Sequence, residues 1–536
     1  DEGTSWQVIS PDLTRKALAD KEEIDLEINI APYERSAIAR LAESPIEPGL
    51  IWVGTTDGVV QLSRDGGKNW SDVTPKELPE NCSTSSIEAS HHDPGTAYIS
   101  ATNYQVGDYR PYLFRTIDYG NSWTSINDGI DPEDFTRVIR EDPNQKELIF
   151  TGTEGGPYVS FDAGGSWEVL QLNLPSVPIH DMVINGTDLV VATHGRAIWI
   201  LDDLTPLHEI AEGTVDNDVH LFKPRSAHRF ITDPDLYSPK DPGPAMHHQM
   251  SLGIPASFYL DRGPEGQVVR RFIDSGENPP NGVMITYYLN NLPQNEIAIR
   301  LSDSSGEEIG RFSSDPTDGM IGIPANQGTN RFVWDMLHSG TCDLTGKVVA
   351  QALVPTGSYR VELIAGDSVK EQSFEILKDP RISGSDVDLK IQSDLLLDIS
   401  RKLSEGYETV RSARAVVLQL DEWLERTKGQ SDADGIVSTI QGLKQDLKGI
   451  ENDLIKGPDW PTRGAFYPRD FCARLLKLFH TVSSADGIPT DQSKQVFDEL
   501  SSAVDKVTSS YSDLGSKQIS DLNLMLRDTG VPAIKI

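Results

Sequence analysis

Cysteine is nearly absent from this chain of 536 residues: Cys82, Cys342 and Cys472 stand far apart, in segments of different texture. That spacing suggests neither a disulfide framework nor a zinc cluster. Positive charge is short as well. Lys and Arg number 48 against 82 Asp and Glu, a formal net charge of −34, and such a field repels nucleic acid and anionic lipid while favouring solubility. No apolar run approaches the roughly 20 residues of a membrane-spanning helix. There is no Gly-rich phosphate loop and no Gly-x-Ser-x-Gly nucleophile elbow, so nucleotide and serine-hydrolase chemistry have no sequence support. No cofactor and no metal is expected.

What the chain does have is glycine (44), proline (33) and, over its first two thirds, short apolar runs broken by Gly, Pro, Asn and Asp. That is an all-β texture, and the length calls for several domains. Within it a motif repeats: SRDGGKNW (63–70), TIDYGNSW (116–123) and SFDAGGSW (160–167), of the form Ser/Thr-x-Asp-x-Gly-x-x-Trp. The opening DEGTSW supplies the same motif without its first two letters. Its elements are therefore Asp1, Gly3 and Trp6, then Asp65, Gly67 and Trp70, then Asp118, Gly120 and Trp123, then Asp162, Gly164 and Trp167. Each complete copy follows two strand-like runs, and a fourth copy, DLVVATHGRAIWILDD, keeps the strands while its motif has decayed. The aspartates lie 64, 53 and 44 residues apart, the spacing of a four-stranded blade with variable loops.

The motif has a local logic. A tight turn needs a Gly for positive φ, an Asp whose carboxylate accepts turn amide protons, and a Trp that packs between neighbouring sheets. Regular repetition of this kind marks architecture rather than a catalytic or metal site.

This motif resembles the Asp-box, or BNR, repeat of the sialidase-like and sortilin-like propellers. SPIEPGLIWVGTTDG, VIREDP, LVVATHGRAIWILDDLTPL and the closing GVPAI are similar to bacterial glycosyl hydrolase and sortilin-domain proteins along the whole chain. The resemblance implies a ring with more blades than the four visible, a chain extending upstream, and a secreted or periplasmic setting. A half ring leaves two exposed strand edges. The expectation is therefore that Asp1 is not the natural start, and that an N-terminal portion of the same protein or a second chain completes the propeller.

The expected fold class is mainly β and multidomain. A partial Asp-box β-propeller of about four blades covers 1–207 and a linker rich in Pro and His covers 208–250. An immunoglobulin-like β-sandwich spans 251–380, where Val361, Leu363 and Ala365 alternate. The last segment, 381–536, changes to a helical period, with Leu396, Ile399, Leu403, Tyr407 and Val410 opening the first of four helices of a bundle that buries Cys472.

In a propeller the Asp-box turns lie on the face opposite the usual ligand face. The latter is then displayed by Asp57, the insertion Asn103, Tyr104, Asp108, Tyr109 and Arg110, Glu154, His194 and Arg196, and the starts of innermost strands at Glu88, Arg137, Arg140, His180 and Asp181. The two tyrosines with Asp108 and Arg110 have the amphipathic chemistry that sugar rings or peptides need. A glycosidase needs two carboxyls flanking the scissile bond, and Asp57, Glu88, Asp108, Glu154 and Asp181 are the candidates. The pairs His91-His92 and His247-His248 do not have the helical spacing of a zinc site. Two readings remain: a binding or scaffolding propeller for a peptide, glycan or partner subunit, and a glycoside hydrolase with part of its active site on further blades.

Overall fold

The computed structural model describes residues 4–15, 36–80, 82–213, 218–230, 243–251, 254–262, 268–273, 279–293, 295–316, 322–427, 434–455 and 470–527, divided into two units, Asp1–Asn217 and Asp218–Ile536. In the first unit, four antiparallel sheets follow one another, each an up-and-down meander in chain order. Sheet I holds Ile38–Glu43, Ile51–Thr55, Val60–Ser63 and Ser71–Asp72. Sheet II holds Ser83–Ala89, Ala97–Asn103, Asp108–Thr116 and Thr124–Ser125. Sheet III holds Thr136–Glu141, Ile149–Thr153, Pro157–Ser160 and Glu168–Val169. Sheet IV has three strands, Ile179–Asn185, Asp188–Thr193 and Ile198–Leu201, and the helix α1 (Thr205–Ala211) follows where the others have a fourth strand. The first strand of each sheet packs against the first strand of the next, so the four sheets share one inner edge.

The repeated motif makes the turn between third and fourth strands. In SRDGGKNW the Ser63 hydroxyl donates to Asp65 Oδ1 and accepts the Gly67 amide, and the Asn69 amide donates to Asp65 Oδ1 at 2.9 Å. Asp118 and Asp162 repeat the pattern, accepting the amides of Ser122 and Ser166 at 2.8 Å each. The indoles then reach out of their own sheets. Trp123 Nε1 donates to the Val73 carbonyl at 2.6 Å and Trp167 Nε1 to the Ile126 carbonyl at 2.7 Å, each acceptor belonging to the preceding sheet's chain. Trp70 Nε1 is shared between the Gly67 carbonyl of its own turn at 2.9 Å and the Ile9 carbonyl at 3.2 Å. Val73 and Ile126 stand three residues after Trp70 and Trp123, and Ile9 stands three after Trp6, so the opening fragment occupies the register of a preceding copy.

Glycine is required here twice over. Gly120 has φ 78°, and a Cβ on it would lie 2.7 Å from Cβ of Val73, the residue that also accepts the Trp123 indole. One feature departs from expectation: Trp6 is 91% exposed rather than packed between sheets, because the described residues place no earlier sheet beside it. Asp1 and Gly3 lie outside the described residues.

The second unit begins earlier than its sequence texture suggests. The stretch 208–250, expected as a linker, supplies strands Val219–Leu221 and Ala227–Arg229, which pair with Val283–Leu289 and, in parallel, with Ser368–Lys378. Of the four sheets among the described residues of this unit, one has the order Val219–Leu221, Val283–Leu289, Gly328–Trp334 and a second runs Ala227–Arg229, Ser368–Lys378, Gly357–Ala365, Ile297–Asp303, Glu308–Ser313; the others are Met246–Ser251, Ile254–Arg262, Val268–Phe272 and the pair Thr341–Cys342, Val348–Ala350. Side chains of the first two fill one core, including Ile285, Tyr287 and Trp334 from the first and Ile299, Val361 and Phe374 from the second. These are two sheets packed face to face.

The C-terminal part is helical: α2 (Asp386–Thr427), α3 (Asp434–Leu454), α4 (Phe471–Val482), α5 (Asp491–Leu514) and, after a π turn at Gly515–Ile519, α6 (Ser520–Arg527). The 42 residues of α2 serve two cores. Its first half packs with α4 and α5 through Leu396, Leu403, Leu475 and Val504, and its second half with α3 and α6 through Val416, Leu420, Leu443 and Leu522. Cys472 is buried against α2, where a Cβ on Gly406 would sit 2.7 Å from its sulfur, and burial pushes the thiol up to about 12. Among the described residues no helix is long and apolar enough to cross a membrane.

Close packing between sheets also depends on small residues in the second strands. A Cβ on Gly152 would lie 2.6 Å from Ile179 Cγ2 of the next sheet and 2.7 Å from Val138 Cγ1. Gly152→Val is therefore expected to destabilise by about 1–3 kcal/mol, the usual cost of overpacking. Gly442→Ala in α3, where the added methyl meets open space, is expected to stabilise by about 0.5–1 kcal/mol. Urea unfolding of each variant measures both signs.

Candidate functional site

Opposite the motif turns, the hairpins between second and third strands and the beginnings of the first strands share one end of the sheets. The register shows why side chains converge there. In every sheet the first strand carries a β-bulge near its start, with one extra residue between paired neighbours: Ala39, Ser85, Arg137 and His180. A bulge re-aims its side chain out of the sheet's alternation. In sheets III and IV that side chain is a guanidinium and an imidazole.

Arg137 is held by Glu154 from the adjacent hairpin through two hydrogen bonds, Nε and Nη2 both donating to Oε2, at 2.8 and 2.6 Å. Its guanidinium carbon lies 4.8 Å from the centroid of Phe135 and 5.7 Å from that of Tyr104. Tyr104 in turn stacks on Phe135, centroids 4.8 Å apart and planes within 13°, and Tyr109 leans on the same ring at 6.2 Å. Phe135 is 4% exposed and Tyr109 is 51% exposed. A buried ring thus supports an exposed tyrosine shelf that a cation and its carboxylate border.

Beside Arg137 stand two histidines. His194, from the sheet IV hairpin, and His180 approach with Nδ1 and Nε2 3.1 Å apart, a hydrogen bond that requires at least one neutral ring. Burial, then Arg137, then His194 hold His180 below its ordinary value, against the pull of Glu154. Arg196 follows in the same hairpin with an exposed side chain, its amide donating to Thr193 Oγ1 and its carbonyl accepting from Trp199 Nε1.

Other expected residues occupy the same end without joining the shelf's ring contacts. Asn103 precedes the 3₁₀ turn Tyr104–Val106. Asp108 accepts two guanidinium hydrogen bonds from Arg110 at 2.9 and 2.8 Å and the Tyr112 hydroxyl at 2.6 Å, which holds it well below the carboxylate range. Asp57 caps its own hairpin, accepting the Thr55 hydroxyl and the Arg15 amide. Asp134, which no motif marks, accepts the Thr153 hydroxyl at 2.6 Å and the Gly155 amide at 2.8 Å.

Glu88, Arg140 and Asp181 form a separate group. Glu88 is the sixth residue of Ser83–Ala89 and Arg140 the fifth of Thr136–Glu141, both toward the strand's end and not its start. Arg140 reaches Asp181 at 2.6 Å and Glu88 at 3.5 Å, and donates to Ser86 Oγ and the Met182 carbonyl. This network ties the first strands of sheets II, III and IV. Among the described residues no cluster of three or more His, Cys, Asp or Glu could hold a metal ion.

No protein-family model and no curated protein sequence matches the chain. Comparison with solved structures finds the GH74 enzyme of Niastella koreensis at 12% identity, covering 64% of this chain and 46% of that one, with a TM-score of 0.25. The GH74 xyloglucanase of Xanthomonas campestris matches at 11% identity over 63% of this chain and 47% of its own, TM-score 0.26. YCF48 bound to a D1 peptide matches at 14% identity over 63% and 84%, TM-score 0.24. The chain thus spans about half the length of the two GH74 enzymes.

Two histidines near these sheets are expected to titrate in opposite directions from the ordinary value near 6.5. Glu88, whose Oε1 lies 3.6 Å from the imidazole Nε2, raises His91, so its stabilisation is complete below that value and is lost as pH rises through the raised one. His180 is lowered, so its neutral ring stabilises above that value and the contribution is lost as pH falls through the lowered one. Proton NMR of the imidazole C–H resonances against pH measures both.

Proposed function

We propose that Asp1–Asn217 is an arc of an Asp-box β-propeller, followed by an immunoglobulin-like sandwich and a helical bundle. Its face at Tyr104, Tyr109, Arg137, Glu154, His180 and His194 binds a peptide or glycan chain. The observation that carries this reading is the exposed tyrosine shelf seated on Phe135 beside the Arg137–Glu154 pair. Aromatic faces bury sugar C–H surface or peptide side chains, and the bordering polar groups fix orientation.

Binding is preferred over glycoside hydrolysis on the same geometry. A hydrolase of the common kind needs one carboxyl kept protonated and a second free to act across the bond. Here Glu154 is engaged by Arg137, Asp108 by Arg110 and Tyr112, Asp134 by Thr153 and Gly155, and Asp181 by Arg140. Each of these carboxylates is already engaged by donors of the protein itself.

The apolar outer side of sheet IV, with Val183, Ile198 and Ile200 more than half exposed, supports a further blade or second chain completing a ring. A secreted or periplasmic setting follows from the family resemblance.

Isothermal titration against oligosaccharides and against peptides is expected to give binding with one class. Tyr104→Ala and Tyr109→Ala should each weaken it by about ten-fold, as the loss of one stacked ring implies. Unchanged affinity in both variants overturns the shelf as the site. Release of reducing ends from a bound oligosaccharide overturns the preference for binding over hydrolysis.

A further inference from the structure

Among the described residues sheet IV has no fourth strand, while Gln7, Val8 and Ile9, which follow a motif tryptophan as every fourth strand does, pair with no third strand. The three complete sheets show what each would need. The residue after the tryptophan pairs with the third strand, Ser71 with Leu62, Thr124 with Arg115 and Glu168 with Val159. Two residues further on, the amides of Val73, Ile126 and Leu170 donate to the carbonyls of Val60, Leu113 and Pro157 at 2.9, 3.0 and 2.9 Å.

Sheet IV keeps the receiving half of this pattern. Its hairpin is closed by the Thr193 amide on the Ala197 carbonyl, as that of sheet I is closed by Thr55 on Val59, so Ile198 and Ile200 stand where Val60 and Leu62 do. In that antiparallel register their backbone groups point away from the second strand, to the open edge. Val60, Leu62, Leu113 and Val159 are buried against the following sheet. Ile198 and Ile200 are 68% and 55% exposed.

The indole has a place as well. Trp167 is buried in a cluster with Ile126, Ile130, Ile149 and Tyr158. One sheet further on, the same positions are held by Leu170, Leu174, Leu189 and Trp199, and these line an open groove. At the other end of the arc, Leu41 occupies the position of Ile87, Ile139 and Met182. Those three are buried with Leu62, Leu113 and Val159 of the sheet before, whereas Leu41 is 62% exposed. Trp70 holds Ile9 against sheet I, so the chain presents its opening segment at the opposite end of the arc from its own sheet IV. Each end is therefore the counterpart of the other, and both are uncovered.

We propose that a second copy of this chain caps sheet IV: its Gln7 pairs with Ile200, its Ile9 amide donates to the Ile198 carbonyl, its Trp6 enters the groove and its Leu41 covers Ile198 and Ile200. The contact repeats the sheet-to-sheet packing already present three times within the chain. It runs head to tail, and four sheets from each of two copies close a ring of eight, within the roughly four to eight blades of propellers, which a third copy would exceed. The inference rests on the propeller arc and not on the tyrosine shelf.

Sedimentation velocity of the full chain at about 1 to 50 μM is expected to show a species of twice the 59.0 kDa chain mass. Trp6→Ala and the double variant Ile198→Lys/Ile200→Lys alter exposed side chains, so each should keep its circular dichroism spectrum and weaken the dimer by about ten-fold or more. Mixed together they should associate better than either does alone, because each retains the surface that the other has lost. A monomer throughout the range overturns the proposal, while the shelf reading stands or falls by its own titration. A dimer weakened in the double variant but not in Trp6→Ala is edge-to-edge pairing of two sheets IV and overturns it. A dimer that neither variant weakens forms elsewhere on the chain and overturns it as well.

Discussion

The first unit rests on one repeated hydrogen bond, from an indole N–H to the backbone carbonyl of the neighbouring repeat. Trp123 and Trp167 make it to Val73 and Ile126, and Trp70 makes it to Ile9. Sheets stacked by apolar contact alone have many near-equivalent offsets. A directional donor aimed at one carbonyl selects among them, and the motif glycine lets the same acceptor residue approach closely. Once that offset is set, the first strands lie side by side and their bulged residues come within reach of one another. The Arg140 network fastens that inner edge, so the arrangement is pinned at both ends.

What a sequence makes legible is what physics makes local. The Asp turn is written in eight consecutive residues because its hydrogen bonds close within four positions, and the helical stripes of α2 and α3 are periodic for the same reason. The tyrosines and histidines of the candidate face were also readable, since hairpin position follows from strand count. Phe135 was not, because its role comes from rings that another sheet places over it. Nor was Asp134, whose partners lie 19 and 21 residues away. Glu88 was displaced for a simpler reason: a strand's start and end differ by a few residues, and that suffices to put a side chain at the wrong end of a sheet.

Longer separations hide more. The strands Val219–Leu221 and Ala227–Arg229 look irregular because each is three residues long and meets its partners some 70 and 150 positions downstream. Short edge strands have little periodicity of their own, and their existence is decided by the sheets that accept them. Arg229 and Asp486 are 257 residues apart, so nothing local announces that one will neutralise the other. A buried ion pair of this kind belongs to the small set of features that only folded coordinates display.

The single rod of α2 has a consequence for cooperativity. At about 1.5 Å per residue its 42 residues extend about 63 Å, and its two halves are built into two apolar cores that α3 and α5 also bridge, through Ile450 and Leu443 and through Tyr511 and Leu514. Two clusters joined by a flexible loop melt as independent bodies. Joined by an unbroken ladder of backbone hydrogen bonds they do not, since loss of one core frays the helix that templates the other. The C-terminal helices therefore constitute one cooperative folding unit with two hydrophobic centres, and stabilising either centre protects both.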